Sequence, residues 1–382
     1  MTNTNKSEMD QHVVISGSGL FTPPDIISND ELVQSFNAYV DKFNQQHAAE
    51  IAAGSVTAKA HSSSEFIEKA SGIKNRFVMS KAGIIDPDVM QPIFTPIPQD
   101  QPSITVQMAL TAAKDALTMA NKKAEDIDLI IFAASGFQRA YPAMAIELQH
   151  YLGANGHAYD MSVACSSATF AISNAADAVK SGRSKAALVV NPEICSAHLN
   201  FKDRDSHFIF GDVCTAVVIE SKTTANSEQC YEILDSTLFT QYSNNIRNEL
   251  GYLTRSEGGV LDADESFFIQ HGRKVFKEVL PAVQGLITEQ LARFELQATD
   301  LKRLWLHQAN INMNNFLAKK LLGRDATAEE APIILDNYAN TASAGSIIAF
   351  HLHQEGMASG DLALVCSFGA GYSIGSIILK RC

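Results

Sequence analysis

One stretch constrains this chain more than any other: Tyr159–Gly182, which reads YDMSVACSSATFAISNAADAVKSG. A short apolar-leaning run, Tyr159 to Ala164, ends abruptly at Cys165-Ser166-Ser167-Ala168. Beyond it Ala168, Ile172, Ala175, Ala176 and Val179 recur at helical spacing, and Gly182 stands just past the last of them. The pattern predicts a strand, a tight turn and a buried helix, with one cysteine at the junction. A thiol at that place faces unpaired backbone N–H groups and the positive end of the helix dipole, which favour the thiolate. A cysteine taken alone is more often a small buried core residue, so the rest of the chain decides between the two readings.

Composition narrows the class. With 382 residues, 46% of them hydrophobic, the chain has room for one large domain or two ordinary ones and for a sizeable core. Its longest apolar runs, such as Leu129–Ala134 and Ala186–Val190, are strand-sized, so no bilayer span is expected. The opening MTNTNKSEMDQ is polar and reads as a short disordered lead-in. Six cysteines without paired spacing argue for a reducing compartment and a soluble cytoplasmic protein. A net charge of −12 makes nucleic acid an unsuitable partner, because binding a polyanion needs a dominant basic face. An acidic protein partner requires a local basic patch acting against the overall charge.

Taken in order, His12–Gly17 predicts a first strand ending in Ser16-Gly17-Ser18-Gly19, which lacks the third glycine and the acid of a dinucleotide site. Asn29-Asp30-Glu31 starts a helix with Leu32, Val33 and Phe36 on its apolar face. Residues Val40–Ser64 form a polar, alanine-rich insertion expected to be helical and superficial. Ser80–Pro102, with five prolines, reads as a long irregular loop. Ile104–Ala120 is an amphipathic helix, Leu129–Ala134 a strand, and Tyr141-Pro142 opens another helix. After the Cys165 unit come the strand Ala186–Val190 and Phe208–Glu220, a glycine turn into an apolar strand. A compositional linker, Ser221–Gln229, divides two halves, 12–220 and 230–382. The second half repeats the outline: strand Leu304–His307, helix Asn312–Leu322, strand Ile333–Leu335 feeding Asn340 and a small-residue helix, strand Leu362–Cys366, a glycine turn, and strand Ser376–Lys380. Alternating strands and helices imply an α/β fold with mostly parallel central strands. The repeat suggests two sheets packed around buried helices.

Three pieces converge: Cys165, then His307-Gln308-Ala309-Asn310, then Asn340-Thr341-Ala342-Ser343-Ala344-Gly345. Each stands where a strand ends, so in a layered α/β fold all three point into one crevice. Cysteine is a natural covalent acceptor of an acyl group, because exchange between thioesters is nearly isoenergetic and the thiolate is a strong nucleophile. A neutral imidazole and a side-chain amide together donate two hydrogen bonds to a thioester enolate. A backbone N–H from the loop Gly369–Gly371, with that of Cys165, makes a second oxyanion hole. Taken singly, a histidine at a strand end is more often a satisfied core or surface residue, and an asparagine before small residues a helix cap.

Together they resemble the β-ketoacyl-acyl carrier protein synthase III family of the thiolase-like fold, over roughly Val13 to Leu379. The resemblance rests on ACSS at Ala164–Ser167, IFGD at Ile209–Asp212, HQAN at His307–Asn310, NTASAGS at Asn340–Ser346 and FGAG at Phe368–Gly371. SGIKNRF at Ser71–Phe77 is similar to an early motif of the same family. The resemblance implies a five-layer αβαβα fold built from two similar halves and a decarboxylative condensation run in ping-pong order. Cys165 would take the acyl group of an acyl-CoA, and His307 and Asn340 would hold the enolate of malonyl-acyl carrier protein. The N–H groups of Cys165 and Ala370 would form the oxyanion hole, with no metal or other cofactor. Phe66 and Arg204 would sandwich the CoA adenine, and Ala168 and Phe368 would lie near the acyl group. Tyr141 would reach the acyl pocket of the other subunit of a homodimer. Arg273, Lys277, Lys319 and Lys320 would form a basic patch for the acidic carrier protein. Cys195, Cys214, Cys230 and Cys366 read as core.

The chain departs from the family at Ala70 and Asn312, where arginines are usual, and at Ala168, where many members have phenylalanine. The departures at Ala70 and Asn312 weaken the expected CoA and carrier-protein contacts, while Ala168 and the insertions Val40–Ser64 and Ser80–Pro102 predict a roomier or differently covered acyl pocket and a primer longer than acetyl. The alternatives are a thiolase-fold acyltransferase or acyl–acyl condensing enzyme, a hydroxymethylglutaryl-CoA synthase drawing an acid from Glu147 or Glu193, and a non-catalytic acyl-binding partner. Fold alone does not decide among them.

Overall fold

The computed structural model describes residues 12–249, 251, 253, 256 and 267–382; the polar lead-in 1–11 lies outside them. The strands are β1 (Val13–Phe21), β2 (Asp25–Ser28), β3 (Asn75–Val78), β4 (Leu129–Ala133), β5 (His157–Met161), β6 (Ala186–Ile194), β7 (Asp212–Ser221), β8 (Tyr231–Ser243), β9 (Ile246–Arg247), β10 (Ile269–Gln270), β11 (Leu301–Leu306), β12 (Leu362–Gly369) and β13 (Gly371–Arg381). The helices are α1 (Asn29–Gln46), α2 (Ala48–Ala52), α3 (Ser64–Ser71), α4 (Ile104–Ala120), α5 (Met144–Leu152), α6 (Ser167–Lys180), α7 (Gly272–Ala292), α8 (Ile311–Leu322), α9 (Leu335–Tyr338) and α10 (Gly345–Leu352).

Apolar residues alternate along β6 and β7 and are buried on both faces, as in a sheet covered on both sides. Ala187, Val189, Val217 and Ile219 face the inner core, while Leu188, Val190, Ala216 and Val218 face α4. The inner core holds the alanine-rich α6 and the helix α10, flanked by residues of β4, β6 and β7 on one side and β11, β12 and β13 on the other. Helices α4 and α5 cover one outer face, and α7 and α8 cover the other. The result is five layers, αβαβα. Small residues let the layers approach: a Cβ on Gly17 would lie 2.2 Å from the Ala116 carbonyl oxygen, and one on Gly19 would lie 2.0 Å from that of Ala112. The Gly-Ser-Gly run is thus a helix-packing surface.

Two expectations change. The strand order β11-β12-β13-β8-β1-β7-β6-β4-β5 is one continuous ladder rather than two separate sheets, joined where Val14 and Ile15 of β1 meet Glu232 and Tyr231 of β8. On either side of that join the order matches, β1-β7-β6-β4 against β8-β13-β12-β11, as an internal repeat demands. The central pairings are antiparallel, and among the strands of the described residues only β4–β5, β4–β6 and β11–β12 are parallel. The cause is connectivity: helical crossovers separate the parallel neighbours, whereas β12 turns straight into β13.

Local expectations mostly hold. Ser28 caps α1 through a reciprocal capping box with Glu31. The insertion 40–64 is helical only as far as Ala52, and Ser80–Pro102 contains no regular element. Ile333–Leu335 is not a strand, because the Ile334 N–H donates to the Gln308 side-chain oxygen at 3.1 Å and not to a neighbouring strand. Cys230 is not a free core thiol: it pairs with Cys382, with Cα atoms 5.5 Å apart. Cys195, Cys214 and Cys366 are buried and free, as expected.

Candidate active site

Cys165 sits in a 3-10 turn, Ala164–Ser166, between β5 and α6. Ala164 takes φ 46°, left-handed backbone that costs a non-glycine residue about 1–3 kcal/mol. The serines of ACSS hold this turn. Ser167 Oγ accepts from the Val163 N–H at 2.8 Å and donates to the Ala164 carbonyl at 2.7 Å, and Ser166 Oγ donates to the Ser373 carbonyl at 3.1 Å.

The Asn340 segment is the same device repeated. Thr341 (φ −109°, ψ 35°) and Ala342 (φ 47°) match Val163 (φ −136°, ψ 39°) and Ala164, and the 3-10 turn Ala342–Ala344 leads into α10. Cys165 and Ser343 therefore hold equivalent places. IFGD explains the position of Asn340: its N–H donates to the Ile209 carbonyl and its carbonyl accepts from the Gly211 N–H, both at 3.0 Å. Asn340 Oδ1 accepts from the Ala342 N–H at 2.9 Å. The amide oxygen is thus occupied within the turn, which leaves the NH₂ as the end able to donate elsewhere.

His307 follows β11, with its N–H on the Cys366 carbonyl at 2.8 Å and its ring edge-on to Phe368 at 5.2 Å. It is buried, and its Nδ1 has no hydrogen-bond partner. The other HQAN residues are structural. Gln308 latches the loop before α9, and Asn310 caps α8 and donates to the Ala70 carbonyl at 2.7 Å. Gly369, next to Phe368, lies directly against the nucleophile: a Cβ there would be 2.5 Å from Cys165 Cβ. One dipeptide thereby ties the histidine to the cysteine.

Burial dominates the electrostatics. Desolvation lowers the His307 pKa to about 4, so the imidazole is neutral at physiological pH. Desolvation, then the nearby Glu193 carboxylate, push the Cys165 thiol up to about 12 against hydrogen bonds from the backbone of Ala370 and of Cys165 itself. The expected lowering by backbone donors is present but outweighed. At neutral pH the thiolate is therefore a trace species, and alkylation of Cys165 by iodoacetamide is expected to rise about tenfold per pH unit up to about pH 9.5. A plateau at lower pH would show that the donors outweigh burial.

Cys165, Ala342 and Ala370 open on a cavity of about 1310 Å³. One wall is the proline-rich insertion from Phe94 to Gln101, another is Ile146, His150 and Tyr151 of α5, and a third includes Arg247, Asn248 and Phe268. Phe268 also lines a second cavity of about 420 Å³ with Phe36, Tyr39, Lys59, Lys202 and Arg204. The cavity at Cys165, unlike the second, exceeds the roughly 300–1,000 Å³ of an ordinary small-ligand site. Among the described residues no group of acids, histidines and cysteines could hold a metal, and no helix is long and apolar enough to cross a membrane.

Several expected site residues are placed differently. Ala168 is fully buried in the inner core and does not line the cavity, because α6 turns it toward the sheet. Phe368 does not line it either; its ring packs on His307. Phe66 and Arg204 do meet, but the guanidinium carbon lies 4.1 Å from the ring centroid, with no gap between them. A base inserted there needs a separation of roughly 7 Å, two contact distances. Tyr141 is 86% exposed and does not line the cavity that Pro142 lines. Arg273, Lys277, Lys319 and Lys320 are exposed on α7 and α8, which pack together through Phe276 and Phe316; Lys319 pairs with Asp325. Glu147 is bound to Arg139 and Ser103 at the cavity wall, whereas Glu193 is buried beside Cys165.

Residues 159–241 match the family model of 3-oxoacyl-[acyl-carrier-protein (ACP)] synthase III, and residues 291–381 match that of its C-terminal part. A beta-ketodecanoyl-[acyl-carrier-protein] synthase of Pseudomonas aeruginosa is 55% identical over 349 residues, 91% of this chain and 100% of the relative. A beta-ketoacyl-[acyl-carrier-protein] synthase III of Bordetella petrii is 29% identical, covering 97% of this chain and 98% of its own. The crystal structure of 3-oxoacyl-[acyl-carrier-protein] synthase III from Aquifex aeolicus aligns with a TM-score of 0.73 at 24% identity, over 96% of this chain and 99% of that one. With near-complete coverage at 55% identity and both family segments matched, the chain belongs to the β-ketoacyl-acyl carrier protein synthase III family and is an acyl-transferring condensing enzyme of the thiolase-like fold.

Proposed function

We propose that the enzyme condenses a medium-chain acyl primer, of about eight carbons, with malonyl-acyl carrier protein. The observation that carries the chain length is the cavity of about 1310 Å³ open to Cys165 and walled by the insertion from Phe94 to Gln101. The name of the Pseudomonas relative supports it by carbon count: a β-ketodecanoyl product has ten carbons, two of them from malonate, which leaves eight for the primer.

The residues divide the work as follows. Cys165 sulfur attacks the primer thioester, the CoA sulfur leaves, and the thiol proton passes to it. The N–H groups of Cys165 and Ala370 hold the oxyanion. Malonyl-acyl carrier protein then loses CO₂, and the electron pair of the broken C–C bond enters a thioester enolate held by neutral His307 and the Asn340 NH₂. The enolate carbon attacks the Cys165 thioester and expels the sulfur, giving β-ketoacyl-acyl carrier protein. CoA enters from the side of Phe268 and the cationic cavity with Lys59, Lys202 and Arg204, the Arg204–Phe66 pair opening to admit the base. Carrier protein docks on Arg273, Lys277 and Lys320, with Lys319 held by Asp325. Exposed Tyr141 and the unpaired edge of β5 support a homodimer, in which Tyr141 covers the partner's cavity. The free Cys165 thiol fits a reducing cytoplasm, whereas the Cys230–Cys382 disulfide is the feature that speaks against one.

Competition among acetyl-, butyryl-, octanoyl- and dodecanoyl-CoA tests the chain length. The β-ketodecanoyl product is expected to exceed the acetyl-derived one at least about tenfold, a discrimination that a few methylenes supply. Preference for acetyl-CoA over all longer primers would sink the reading.

A further inference from the structure

The reaction above uses no acid, yet a carboxylate stands at its centre. Glu193, at the end of β6, is 1% exposed and faces the cavity beside Cys165. Its Oε1 accepts from Ser343 Oγ at 2.5 Å and the Ser343 N–H at 3.2 Å. The same carboxylate accepts from the Ser135 N–H at 3.0 Å and Ser135 Oγ at 2.5 Å. No basic side chain pairs with it in those contacts, and burial raises its pKa to about 7 against the four donors. A buried acid without a counter-ion is costly and persists where its hydrogen bonds do specific work.

The two serines define that work. Ser135 follows β4, on the Cys165 side of the β1–β8 join. Ser343 is the equivalent of Cys165 in the repeated turn, three residues beyond Asn340. That turn carries left-handed Ala342 and is pinned at its start by Asn340 Oδ1 on the Ala342 N–H. Without a tether at its far end, a strained turn relaxes and carries the Asn340 amide with it.

We propose that Glu193 is a positioning residue for carbon–carbon bond formation, its carboxylate clamping Ser343 to Ser135 so that the Asn340 turn stays fixed against the nucleophile. This rests on the reading that Asn340 holds the enolate. The clamp acts on the second half-reaction, because acyl loading of Cys165 uses the Cys165 and Ala370 N–H groups and not Asn340.

The test measures the two half-reactions separately in Glu193→Ala, Glu193→Gln, Ser343→Ala and Asn340→Ala. Glu193→Ala is expected to lose about 10²-fold in condensation, the scale of a misplacement near 1 Å, while octanoyl loading does not fall more than about threefold, since removing the carboxylate that raises the Cys165 pKa acts in favour of loading. Glu193→Gln keeps one acceptor oxygen and recovers part of the loss. Normal condensation by Glu193→Ala, or an equal fall of loading and condensation, overturns the proposal. If Glu193→Ala does not fold, Ser343→Ala decides: a selective loss of condensation supports the clamp, and a wild-type rate overturns it. Asn340→Ala separates the layers. If it condenses normally, the catalytic reading fails; if it is inactive while Glu193→Ala is normal, only the clamp fails.

Discussion

Gly369→Ala is expected to abolish most condensing activity in a protein that still folds. The new Cβ would stand 2.5 Å from Cys165 Cβ and 2.8 Å from its sulfur, distances that a Cβ does not sustain against a non-bonded carbon or sulfur. Residue 369 cannot retreat easily, since it is paired with Ser373 in the β12–β13 ladder. The nucleophile turn must yield, and it is held by Ser166, Ser167 and Ser373. Overpacking of this kind costs about 1–3 kcal/mol of stability. The larger effect falls on rate, where a shift near 1 Å costs about 10²-fold. Steady-state condensation beside a thermal melt checks both, and activity within a few-fold of wild type would contradict the contact.

His307→Ala and Asn340→Ala are each expected to lower condensation by about 10²–10³-fold, the usual loss for one donor aimed at transition-state charge. Both are expected to leave Cys165 able to take an acyl group. The losses are not additive, because the two donors serve one oxygen. Asn340→Asp is the sharper test. Aspartate keeps the oxygen that accepts from the Ala342 N–H, so the turn survives, but it replaces the donor NH₂ with a charged acceptor. It is expected to be at least as impaired as alanine, and a nearly active Asn340→Asp would exclude the amide as donor. Condensation rates with acyl-Cys165 enzyme prepared in advance read all three variants.

The chemistry-bearing motifs were legible because each is local. A strand end, a tight turn and a small-residue helix are contiguous in Tyr159–Gly182, and HQAN and NTASAGS are each one short run, although the partners that hold them, Ala70, Ile209, Ile334 and Cys366, are distant in sequence. What was not legible depends on contacts distant in sequence. Glu193 is one acid at a strand end, and its meaning lies in Ser135 and Ser343, 58 and 150 residues away. Ile333–Leu335 has strand composition, yet a side-chain acceptor on Gln308 takes the N–H that a neighbouring strand would use. Ala168 and Phe368 stand next to site motifs in sequence, but helix and strand geometry turn both away from the cavity. The thiol's ionisation ran against expectation for the same reason: a turn motif advertises backbone donors but not the depth at which they are buried. The pairing of Cys230 with Cys382 joins residues 152 apart, with no spacing signal.

The central claim is that the acyl group passes through Cys165 and leaves it only with the help of Asn340. Intact mass of wild type, Cys165→Ala and Asn340→Ala, taken after octanoyl-CoA and again after malonyl-acyl carrier protein, tests it directly. Wild type is expected to gain one octanoyl group and then return to its starting mass as product forms. Asn340→Ala should gain the group and retain it, and Cys165→Ala should never gain it. An adduct on Cys165→Ala, or discharge of Asn340→Ala at the wild-type rate, would contradict the account.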